Sequence, residues 1–148
     1  MDFIWIILFL HVLGATIWTG GHLALSFVVL PRALKARDPK ILTDFENGFE
    51  KIGMPALFAQ VATGLWLALL MVPDLSDWMP PASGASHAIL TKLALLLLTA
   101  GLALNAKFRV IPHLSPETLP VMAWHIRAVT LLSVLFVATG VFLENGGF

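Results

Sequence analysis

The sequence predicts an all-α protein: an antiparallel four-helix transmembrane bundle with a short cytoplasmic amphipathic helix. Composition is the first warrant. Of 148 residues, 58% are hydrophobic and 12% charged, about half the roughly 25% charged that water-soluble domains carry, and the mean hydropathy is +0.88. The second is the grouping of apolar residues into four stretches, about 3–30, 56–72, 88–110 and 120–143, each near the roughly 20 residues that cross a bilayer. The third is the short connections, which impose an up-down-up-down order. The length suits one domain, 1–148, and no internal repeat stands out.

The first span is Phe3–Leu30. Its apolar run is too long for a signal-peptide core, and Met1-Asp2 supplies no positive leader, so it is expected to remain as a helix. Ile6, Leu10, Leu13, Ile17 and Val28 form a bulky stripe suited to lipid, interrupted by Gly20 and Ala24. The opposite stripe is small, polar and aromatic: His11, Gly14, Ala15, Trp18, His22 and Ser26. Small residues let a neighbouring helix, or a flat macrocycle, approach the backbone closely. His11 and His22 are eleven residues apart, three turns plus about 20°, so both project from one face about 16 Å apart. Ionisable groups inside a membrane mark candidate cofactor, metal or proton-path sites.

Asp38-Pro39 reads as an N-cap followed by the first helical residue. Ile41, Leu42, Phe45, Phe49 and Ile52 then recur at helical spacing among charges. This predicts an amphipathic helix on the membrane surface over roughly 39–52, ending near Gly53 and Pro55. The second span presents Gly53, Gln60, Thr63, Gly64 and Met71 on one face. The following loop, Pro73–Ser86, is rich in Pro, Ser and Asp, with Trp78 as an interfacial anchor. The third span presents His87, Thr91, Ala94, Gly101 and Asn105. Lys92 starts near an interface, where it can snorkel or pair with a cofactor carboxylate. The fourth presents His125, Ala128, Val129, Leu132, Phe136 and Gly140.

Charge sets the expected orientation. Arg32, Lys35, Arg37, Lys40 and Lys51 flank the first loop and Lys107, Arg109 and Arg127 the third, whereas the opposite side carries Lys92 alone. Eight basic residues against one predict that the first and third loops are cytoplasmic and both termini are not; in a Gram-negative bacterium the termini would be periplasmic, in the inner membrane. No basic run suggests nucleic acid. With no cysteine, disulfides and thiolate metal sites are excluded.

The candidate cofactor-binding residues are therefore His11, His22, His125, His87, Lys92, Trp18, Gly14 and Gly21, with His11, His22 and His125 as metal ligands. His22 lies about 12 Å from the cytoplasmic end of its helix and His125 about 7 Å from Pro120, so this pair is the better levelled for a haem b or a metal. His11 lies about 12 Å from the outer end, as a ligand alone or with His87, which sits at or outside the start of its helix. Lys107 or Arg109 inside and Lys92 outside could neutralise haem propionates. For His87 an interhelical hydrogen bond, and for His113 a solvated loop position, are the simpler roles.

Further residues carry a family resemblance. His11-x6-Trp18-x-Gly20-Gly21 followed by Val28-Val29-Leu30-Pro31, then Thr63-Gly64-Leu65, then Leu90-x-Lys92-Leu93-Ala94-Leu95 running on to Asn105 and Pro112, resemble the copper-resistance D-like (CopD-like) membrane proteins. The resemblance covers most of the chain as one four-helix unit and implies copper homeostasis. His11, Trp18, Gly21 and Lys92 are also similar, more weakly, to the HemJ-like protoporphyrinogen oxidases. His22 and His125 belong to neither pattern. Three functions follow as expectations. The first is a haem b redox protein passing electrons between quinone and a periplasmic redox or copper protein, for which bis-histidine ligation is suited. The second is a copper permease with histidine ligands, although soft Cu(I) prefers sulfur donors. The third is a porphyrin oxidase with an open site at His11. A helper subunit of a larger complex, or a homodimer, would use the same polar seams for packing.

Overall fold

A computed structural model of the chain describes residues 2–144; Met1 and residues 145–148, and with them the two termini expected outside, lie beyond the described residues. The described chain is helical with no strand. Helix α1 (Asp2–Ala24) runs through a π turn (Leu25–Val29) into α2 (Leu30–Ala36). α3 spans Lys40–Met71, α4 spans Gly84–Asn105, and α5 spans Leu119–Glu144. A second π turn (Ala106–Val110) and a 3-10 turn (Ile111–His113) prolong α4. Four helical rods are long and apolar enough to cross a membrane, so this is an all-α, multi-pass membrane bundle.

Both π turns lead into a proline. Pro31 and Pro112 have no N–H for an i−4 carbonyl. One residue earlier, Leu30 and Ile111 donate five residues back, to Leu25 and Ala106. A widened turn of this kind absorbs one extra residue without ending the rod. Arg37 (φ 53°) then closes α2 in the left-handed conformation, with Asp38 N–H bonding to the Ala33 carbonyl at 3.1 Å, as helix C-termini commonly do. Asp38 Oδ1 accepts from Lys40 N–H at 2.9 Å and so caps α3.

The expected surface helix is the first part of α3 and not a separate element. Gly53 and Pro55 sit inside a continuous 32-residue helix. A proline forfeits one hydrogen bond and crowds the preceding turn, and spanning helices tolerate it because neighbouring groups re-satisfy the backbone. At 1.5 Å per residue α3 is about 48 Å long, well beyond the roughly 30 Å hydrocarbon slab, so its charged first turns extend past the membrane. The third span also begins earlier than hydropathy suggests: Ser83 Oγ accepts from Ser86 N–H at 3.2 Å and starts α4 at Gly84.

α1 packs against α3 on one side and α5 on the other, and α4 packs against α5. α3 and α4 barely meet. Ala68 and Val72 touch Ile89 at the end of the bundle nearest the termini, and Glu50 reaches Lys107 at 4.0 Å at the basic end. The larger apolar core lies at the basic end, where Leu25, Leu30 and Ala33 meet Leu42, Val110, Leu119, Met122 and Ile126. Trp78 closes the smaller cluster, its Nε1 donating to the Val72 carbonyl at 2.9 Å. The polar seam lies between these two clusters.

Candidate functional site

Helix α1 turns as its two stripes require. His11, Trp18 and His22 are half-buried against the bundle, and Leu10 and Leu13 are exposed on the outside. Gly14 makes the α1–α3 approach close: a Cβ there would lie 2.9 Å from the Ala56 carbonyl oxygen.

His11 crosses this contact. Its Nδ1 lies 3.0 Å from the Gln60 carbonyl oxygen and 3.1 Å from Thr63 Oγ1. The Thr63 hydroxyl donates to the Ala59 carbonyl at 2.6 Å, which leaves its oxygen as an acceptor facing the ring. Nδ1 therefore carries the proton and donates, and Nε2 keeps a free lone pair with no hydrogen-bond partner among the described residues. Gly64 lies beneath the ring, where a Cβ would come within 2.9 Å of Cε1. Gln60 also holds a buried side-chain oxygen, Oε1, without a partner.

Lys92 of α4 lies at a similar depth. Counting from the ends of their helices, His11, Thr63 and Lys92 are all about 12–14 Å in. Lys92 Nζ lies 3.6 Å from where a Gly140 Cβ would stand on α5. His11 and Lys92 thus share one level of the bundle, on α1 and α4. His87 does not join it: it sits exposed in the first turn of α4, its Nδ1 donating to the Ser83 carbonyl at 2.9 Å.

His22 and His125 face different neighbours. His22 Nδ1 donates to the Trp18 carbonyl at 2.9 Å, and its ring packs on Trp18 (4.4 Å) and edge-on to Phe49 of α3 (5.8 Å). Phe49 fills the notch over Gly21 and Gly53. His125 uses both ring nitrogens: Nδ1 to the Val121 carbonyl at 2.9 Å and Nε2 to Asn105 Oδ1 of α4 at 3.0 Å. The two rings thus make separate contacts, His22 within α1 and with α3, His125 within α5 and with α4. Among the described residues, no three His, Asp or Glu side chains converge as a metal-holding group.

Fold and site together define a four-span membrane protein with half-buried polar side chains, His11 and Lys92 among them, between two apolar clusters. A family model described as Copper resistance protein D matches residues 44–143, 100 of the 148 residues. The chain belongs to that family. The match takes in Gln60, Thr63, Lys92 and His125, and α1 lies before it. No curated protein and no solved structure matches the chain; the likeness to protoporphyrinogen oxidases therefore rests on its four residues alone.

Gln60 and Phe49 were visible in the sequence only as members of helix faces, and Thr63 also within the Thr63-Gly64-Leu65 motif. A lone amide on an otherwise apolar span was the one signal that could have singled out Gln60.

Proposed function

We propose that the chain handles copper at the membrane, with His11 Nε2 as the point at which the protein contacts the ion. The observation that carries this reading is the split of the His11 ring: Nδ1–H is fixed by a backbone carbonyl and a hydroxyl of another helix, and Nε2 has no hydrogen-bond partner among the described residues. Metal-binding imidazoles are oriented in this way, the second nitrogen fixing tautomer and ring direction. Membership of the copper resistance family supplies the identity of the ion. An imidazole nitrogen suits copper, whereas Cu(I) favours sulfur donors, and the chain has no cysteine.

Copper here is cargo or ligand, held at one protein site in the half of the bundle nearest the termini. The excess of Lys and Arg at the other end supports a cytoplasmic location for that end, so the site is the one nearer the outside, in a bacterial inner membrane. The haem b reading, with quinone-linked electron transfer, has no comparable support from the residues.

The test is copper tolerance and cell-associated copper in a host expressing the wild-type chain, His11→Ala or His87→Ala at equal membrane levels. Wild type and His87→Ala should shift both quantities alike, and His11→Ala should leave them at the empty-vector value. A His11→Ala variant as effective as wild type would overturn the proposal.

A further inference from the structure

We infer that the rim between the first π turn and α5, at the basic end of the bundle, binds a phospholipid headgroup. Arg127 takes the phosphate, and Ser26 accepts a hydrogen bond from the head. The lipid is therefore one whose head can donate, an ethanolamine and not a choline.

The π turn leaves acceptors without donors. The Leu30 N–H goes to the Leu25 carbonyl, and Pro31 has no N–H. The Ser26 carbonyl thus lacks a donor from either the fourth or the fifth residue on. The Ser26 hydroxyl is also unbonded among the described residues, whereas Thr99, Thr130 and Ser133 each bond back to the carbonyl four residues earlier. Polar groups at the lipid face need a partner, because hydrocarbon supplies none.

Two hydrogen bonds fix how α5 lies along α1. Thr130 Oγ1 donates to the His22 carbonyl at 3.1 Å, and Thr19 Oγ1 to the Ser133 carbonyl at 3.5 Å. Ser26 is two turns past Thr19, so it continues the side of α1 that meets α5. One turn from the Thr130–His22 bond toward the basic end, Ser26 and Arg127 stand at one level. Their neighbours in sequence, Leu25 and Ile126, belong to the same apolar core.

Arg127 is exposed on the outer face of α5, between Trp124 and Leu131, which are 62% and 60% exposed. Lys40 and Lys107 meet carboxylates. Arg127 has no ion pair or hydrogen bond among the described residues, nor has the Trp124 indole N–H a hydrogen bond. Arg127 lies about 12 Å from the start of α5, a helix about 39 Å long against a slab of roughly 30 Å. Its long side chain reaches the headgroup layer from there. A guanidinium at that depth needs an anion, and a phosphate matches its planar fork. The indole N–H, one turn away at the same interface, is a second donor to that phosphate.

The test is native mass spectrometry of the purified, delipidated full chain in detergent, titrated with phosphatidylethanolamine or phosphatidylcholine of identical acyl chains. The two lipids carry the same net charge and differ in whether the head donates a hydrogen bond. Wild type should bind the ethanolamine lipid about fivefold more tightly. Arg127→Gln should weaken both by about tenfold or more, and Lys51→Gln, an equal loss of charge on α3, should bind like wild type. A double variant, Ser26→Ala with Pro31→Ala, removes the hydroxyl and returns an N–H to the turn. It should bind both lipids alike, with the affinity that wild type has for the choline lipid. Wild-type affinity for both lipids in Arg127→Gln would overturn the inference. So would a wild type that does not distinguish the two heads, or a preference that survives in the double variant.

Discussion

Phe49 of α3 lies in the notch that Gly21 leaves in α1: a Cβ at residue 21 would overlap the phenyl ring, and one at Gly53 would come within 2.7 Å of Cε1. The same ring stands edge-on to His22 and stacks on Phe45 at 5.9 Å. One aromatic side chain thus occupies the space that a small-residue stripe suggests for a macrocycle. The glycines of this bundle differ in what they face, and therefore in what a methyl group does at each.

At Gly14 the obstacle is backbone, the Ala56 carbonyl oxygen at 2.9 Å, which cannot turn aside. Gly14→Ala should destabilise the bundle by about 1–3 kcal/mol, the usual cost of overpacking. Gly21→Ala should cost less, because the Phe49 ring can rotate away. Gly20 and Gly101 have nothing within 4 Å, so alanine there should be neutral or stabilise by up to about 1 kcal/mol through helix propensity. Thermal unfolding of the four variants in one detergent checks the order. Gly14→Ala as stable as Gly20→Ala would contradict the α1–α3 packing.

The His125–Asn105 hydrogen bond joins α5 to α4 at 3.0 Å. A double-mutant cycle with His125→Ala and Asn105→Ala should give a coupling of about 0.6 kcal/mol, with about 1.7 as the upper range for such pairs in membranes. Zero coupling would mean that the two side chains do not bond.

Much of this was legible in the sequence, for identifiable reasons. Lipid-facing Leu10 and Leu13 and inward His11, Trp18 and His22 separate on one helix because bulk and polarity alternate at the helical period. The number and order of the spans follow from hydropathy, although the helices run beyond their hydropathic bounds. The pairing of histidines was not legible. The contacts each histidine makes depend on the direction of its ring, on helices that are themselves neighbours: α1 with α3 and α5, and α5 with α4. His22 therefore faces Phe49, and His125 turns to Asn105. Lys92 was placed near an interface, as a snorkelling charge or a partner for a cofactor carboxylate, because the hydropathic start of its helix fell at Ala88. The Ser83 cap moves that start to Gly84, which levels Lys92 with His11.

Thr63 shares the His11 proton with the Gln60 carbonyl. Thr63→Val removes one of two acceptors and leaves the other, so the ring should keep its tautomer but lose some of its fixation. Cu(II) affinity should fall by up to about tenfold, the lower end of the range for supporting residues around metal ligands, as read from equilibrium dialysis. Unchanged affinity would show that the Gln60 carbonyl alone orients the ring.

The distribution of Lys and Arg predicts that the end of α5 faces away from the cytoplasm. A reporter active only outside the cytoplasm, fused after the C-terminus, should be active, and one fused within the loop between α4 and α5 should be silent. The reverse pattern would move the His11 site to the cytoplasmic side.

The central claim is that one imidazole, His11, contacts the copper. Electron paramagnetic resonance of the purified chain loaded with a single equivalent of Cu(II) reads the coupled imidazole nitrogen directly. The account predicts coupling to one imidazole, present in wild type and His22→Ala and absent in His11→Ala. Coupling that persists in His11→Ala, or a wild-type signal that requires two imidazoles, would contradict it.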